Sequence, residues 1–141
     1  MKLFKVFIAL FISLSFVSCK EAKKAEEDMT QMKRVMAMHD EVMPKMGAMA
    51  KLAGELSSKE DSTALGLQYK GARRDLQEAR DAMMDWMQGF GNKFDTDEIM
   101  NGKELNAQKQ TWLNEEEEKM KALRDQINSS IANAEKLLEG E

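Results

Sequence analysis

Seven methionines surround the chain's only histidine: Met29, Met32, Met36, Met38, Met43, Met46 and Met49 bracket His39. Thioether sulfur and imidazole are the donor types that select Cu(I), and on a helix Met36 and Met43 flank His39 on one face at i−3 and i+4. Met36, His39 and Met43 are therefore candidate copper ligands. The competing reading is that methionine, flexible and apolar, fills an irregular helical core. Heptad placement favours packing, and Met38, which lies off the heptad face, is the residue that packing explains least.

The other reactive residue is Cys19, the single cysteine of 141 residues. Lys2 and Lys5 precede an uncharged run of 12 residues, Val6–Val17. As a helix this run would span about 18 Å, short of a hydrocarbon core of roughly 30 Å. A charged head and a short apolar run read as a secretory signal. The end of the run, Phe16-Val17-Ser18-Cys19, resembles the bacterial lipobox. That resemblance implies cleavage between Ser18 and Cys19, a thioether-linked diacylglycerol on Cys19 and acylation of the new N-terminus. Two or three acyl chains hold a membrane stably, at roughly 0.8 kcal/mol per buried CH₂. With no second cysteine there is no disulfide to form. Position 20 is Lys, so no Asp follows Cys19 directly, which by resemblance to the enteric sorting rule favours the outer membrane.

Enzymatic constellations are missing from the pattern. A di-iron bundle needs Glu-x-x-His, and position 36 is Met. A nucleophile paired with histidine would have to use His39, whose heptad position points into the core. Asp95-x-Asp97 with Asn101-Gly102 lacks the ligand spacing of an EF-hand calcium loop. Once Lys2 and Lys5 leave with the signal, 19 basic residues face 25 acidic ones, and no block of five Lys/Arg exists to attract nucleic acid.

The elements that must hold these residues are helical. After the first 18 positions, Leu, Ile, Val and Phe make up only 17 of 123 residues, so methionine completes the core, and few β-branched residues remain for strands. Three tracts repeat at alternating steps of three and four. The first is Met29, Met32, Met36, His39, Met43, Met46, Ala50 and Ala53, widened by Val35, Val42, Met49 and Leu56. The second runs Leu65, Tyr69, Ala72, Leu76, Ala79, Met83, Trp86, Phe90. The third runs Leu113, Glu116, Met120, Leu123, Ile127, Ser130, Ala134, Leu137. Sustained periods near 3.5 predict packed helices.

The fold expected is all-α: an elongated, antiparallel up-down-up three-helix bundle with helices over about 22–55, 58–89 and 102–138. Residues 1–18 are the signal, 19–27 a tether and 28–141 the bundle. Ser57-x-x-Glu60 and Asn101-x-x-Glu104 are candidate capping boxes, and Gly89 or Gly91 a helix stop. Pro44 removes the bond to the Asp40 carbonyl and should kink helix one. With turns near 57–58 and 96, His39 and Glu116 fall in one layer and should pair, fixing register. The same arithmetic gathers Met29, Met32, Met83, Trp86 and Met87 by sulfur–aromatic packing.

The stretches His39-Asp40-Glu41-Val42-Met43-Pro44-Lys45-Met46 and Ala82-Met83-Met84-Asp85-Trp86-Met87 resemble a group of small Bacteroidota lipoproteins often labelled "viral A-type inclusion protein". The resemblance implies the anchor and a coiled-coil-like fold, and no activity. The expectation is a lipid-anchored, non-enzymatic envelope protein that is structural or binds another envelope protein. Such a module should expose an apolar strip using Met38, Met84 or Trp112. The alternative is periplasmic copper binding.

Overall fold

A computed structural model describes residues 30–140. Ser18, Cys19, the tether and Met29 lie outside them. Every regular element is helical, and there is no strand among the described residues. α1 is Gln31–Val42, followed by a single 3₁₀ stretch at Met43–Lys45 and then α2, Met46–Ser57. α3 is Ala64–Lys93, α4 is Thr96–Met100 and α5 is Ala107–Glu139.

The 3₁₀ stretch has a covalent cause. Pro44 has no amide hydrogen to give to Asp40, and it stands in the first turn of the tighter helix, where that loss matters least. Helix one therefore changes winding at Pro44 instead of running unbroken.

The helix boundaries differ from those expected. α3 starts at Ala64, where the Thr63 side chain accepts from the Gly66 amide, so Ser57-x-x-Glu60 is not its cap. Asp61 accepts from the Thr63 amide at 2.8 Å and backs this cap. A Cβ on Gly66 would stand 2.6 Å from the Asp61 backbone nitrogen, so this close approach requires glycine. Gly89 and Gly91 lie inside α3, which ends only where Phe94 turns extended. α5 is capped by Asn106, accepting from Lys109, whereas Asn101 closes α4. The true capping box is Asp95 with Glu98, at the head of α4. Its carboxylates are further held by Lys103 and Lys109, at 2.8 and 2.6 Å.

α1 packs on α5, α2 on α3 and on α5, and α3 on α5. Ala50, Ala53 and Ser57 of α2 line one groove with Arg73, Gln77 and Arg80 of α3, and only residues 58–63 separate the two helices in the chain. Residue numbers run oppositely on α3 and α5, where Lys93 meets Glu116. Between helix one and α5 they rise together. Gln31–Asn114, Arg34–Glu117 and Lys45–Asn128 each span 83 residues.

The core faces of α3 and α5 are those predicted by spacing. Tyr69, Ala72, Leu76, Ala79, Met83, Trp86 and Phe90 are buried, as are Leu113, Met120, Leu123, Ile127 and Ala134. Leu65 departs from its series and is exposed. Helix one is rotated relative to its reading. Its deepest residues are Val35, Val42, Met49 and Leu56, the series expected only to widen the face, and Met38 is sealed beside them. Met36, Met43, Met46 and Ala53 are half-buried at the margin.

Candidate functional site

Helix one presents two flanks to its neighbours. Gln31, Arg34, Glu41 and Lys45 form the flank toward α5. Arg34 Nε donates to Glu117 Oε1 at 3.1 Å and Gln31 to Glu117 Oε2 at 2.7 Å. Lys45 donates to Asn128 at 2.6 Å, and Glu41 stands 3.9 Å from Arg124. Glu117 is buried, which pushes its carboxyl upward. Hydrogen bonds from Arg34 and Gln31 outweigh that, so it titrates below the ordinary glutamate value.

A second buried carboxylate lies between α3 and α5. Glu116 Oε1 accepts from Lys93 at 2.7 Å and from Lys119 at 2.8 Å. Burial raises its pKa, but the bonds from Lys119 and Lys93 outweigh this, for a net depression. The expected His39–Glu116 pair is thus corrected: each residue has a different partner. The turns are the reason. Residues 58–63 and 94–106 both hold more chain than was assumed, which slides the helices past the predicted layer.

On another flank Met36 and Met43 are half-buried against the core, and His39, between them, meets Trp86 of α3. The His39 ring centroid is 5.8 Å from that of Trp86, with planes 32° apart. Trp86 stacks on Phe90 at 4.7 Å, and Phe90 meets Phe94 at 4.7 Å. His39 Nδ1 lies 3.0 Å from Asp40 Oδ1. An ionised carboxylate only accepts, so Nδ1 donates in this pair, and in the neutral ring the lone pair is then on Nε2. Trp86 Nε1 is buried with no hydrogen-bond partner among the described residues.

Of the sequence-derived candidates, Met36 and Met43 are half-buried against the core, His39 lies beside Trp86, and Ser18 and Cys19 lie outside the described residues. Met38 belongs to the core, against expectation, and Trp112 is half-buried against it. The large exposed apolar residues are Leu65, Leu67, Met84 and Met100. Leu67 and Met84 are about 26 Å apart along α3, so the expected continuous apolar strip does not form from them. Among the described residues, no three His, Cys, Asp or Glu side chains gather where they could hold a metal ion.

Spacing alone missed the Arg34–Glu117 and Lys93–Glu116 pairs. Their signal was present as opposite charges at core-flanking positions, but pairing them needs the register. Comparison with known proteins adds no relative: no family model, curated protein or solved structure matches this chain.

Proposed function

We propose that the protein is a lipid-anchored component of a bacterial cell envelope, non-enzymatic, serving a structural role or binding another envelope protein. The observation that carries this reading is the sole cysteine, Cys19, directly behind Ser18 at the end of a short uncharged run headed by Lys2 and Lys5. In this reading the signal is cut before Cys19, acyl chains hold the cysteine, and residues 19–27 tether the folded unit to the outer membrane.

The folded unit is an up-down-up three-helix bundle, with α1 and α2 as one long helix bent at Pro44. The constant spacing of 83 residues between helix one and α5, and the opposed numbering of α3 and α5, support that topology. Among the described residues no helix is long and apolar enough to cross a membrane. Attachment in this reading comes from the lipid. A charged surface with buried carboxylates answered by Lys and Arg suits a rigid spacer or docking module better than a pocketed catalyst.

The test is metabolic labelling with a clickable fatty acid in a bacterium that lipidates exported proteins. The full chain should take up label and fractionate with membranes, and Cys19→Ser should do neither. Equal behaviour of the two proteins would sink the anchor.

A further inference from the structure

The margin between helix one and α3 combines three features that core packing does not require together. The first is donor chemistry. Met32, Met38, Met49, Met83 and Met120 are sealed inside, where any apolar side chain of that volume would serve. Met36 and Met43 instead are only half-buried, one turn either side of His39. The second is the histidine's hydrogen bond. His39 donates a hydrogen bond from Nδ1 to Asp40, so in the neutral ring Nε2 is the atom that can bind a metal. A carboxylate behind the other ring nitrogen is the usual support for a metal-ligating histidine. The third is the wall. Trp86 lies beside His39, its ring tilted by 32°, and continues into Phe90 and Phe94 as an apolar surface on one side of the imidazole.

We propose that Met36, His39 and Met43 form a Cu(I) site at this margin, closed on one side by Trp86. Two thioethers and one neutral imidazole make an uncharged, soft donor set that suits a monovalent soft cation. Asp40 is a positioning residue: it holds the imidazole tautomer and does not touch the ion. The indole face beside the site attracts the cation and also reports on it. Binding is ligand exchange, with no electron transferred. The site does not depend on the lipid anchor, so labelling at Cys19 and copper binding succeed or fail separately.

The experiment is an anaerobic Cu(I) titration of the full chain against bicinchoninate. Cys19→Ser removes the only thiol, and Trp112→Phe leaves Trp86 as the sole tryptophan emitter. One equivalent of Cu(I) should bind and quench Trp86 emission. The M36L/H39A/M43L variant should lose at least about 100-fold in affinity while keeping its helical circular dichroism. Asp40→Asn should weaken binding by about 10–100-fold. If the triple variant does not fold, the single changes Met36→Leu and Met43→Leu decide: each should cost about tenfold or more. Three results would overturn the site: an unchanged affinity in the ligand variants, no copper withdrawn from bicinchoninate, or binding that leaves Trp86 emission untouched.

Discussion

The two flanks of helix one solve the same packing problem with opposite materials. Toward α5 the contact is polar and directional: Gln31, Arg34, Glu41 and Lys45 reach partners at a fixed 83-residue interval. Toward α3 it is aromatic, His39 against Trp86, which stacks on Phe90, with Met36 and Met43 half-buried one turn either side of His39. Hydrogen bonds fix register because a one-residue slip unmakes them and strands a buried Glu117. Thioethers and rings tolerate a slip, and supply contact area without specifying position. The polar flank therefore decides which residue faces which, and the apolar flank and the core beneath it decide how firmly.

The largest effect that would break this division is expected in the core. Met83→Ala removes a fully buried side chain behind the aromatic flank and should cost about 2–5 kcal/mol, read from urea unfolding. Glu117→Ala should cost less, about 1–3 kcal/mol, by leaving Arg34 and Gln31 without their acceptor. If Glu117→Ala proves the more damaging of the two, polar contacts carry stability as well as register and the contrast fails.

Acid sharpens the contrast further. Glu116 and Glu117 both titrate below the ordinary value of 4.5 in the folded state. Their contribution is complete above that value and is lost as pH falls through the lower folded pKa. Urea midpoints taken from pH 7 to pH 3 should decline for the wild type and decline less for E116Q/E117Q. Trp86→Phe should have the smallest effect, within about 1 kcal/mol. It loses ring area but relieves an indole N–H that is buried without a partner.

How much of this was legible depended on whether a feature was local. The core faces of α3 and α5 follow from spacing because each helix buries one stripe against its neighbours. Helix one was read one position off. Counting methionines weighted the Met36–Met43 margin, whereas Val35, Val42 and Leu56 marked the true centre. The caps were misassigned because Ser57, Ser58, Asp61, Ser62 and Thr63 all could accept an amide, and only the Gly66 approach to Asp61 selects Thr63. The donor set proposed for Cu(I), Met36, His39 and Met43, was visible in the spacing. The Trp86 wall was not, since it depends on a turn length that spacing does not encode.

The 83-residue interval also sets an order of assembly. Lys93 and Glu116 are 23 residues apart, so the first loop between α3 and α5 is short. Closing an 83-residue loop directly would cost about 1 kcal/mol more in chain entropy. Once α2, α3 and α5 have met, helix one's start is already held close to its partners and little of that cost remains. Gln31 and Arg34 are then expected to dock late, after the rate-limiting barrier. Substitutions there should speed unfolding and leave the folding rate nearly unchanged, with φ-values near zero in stopped-flow chevrons.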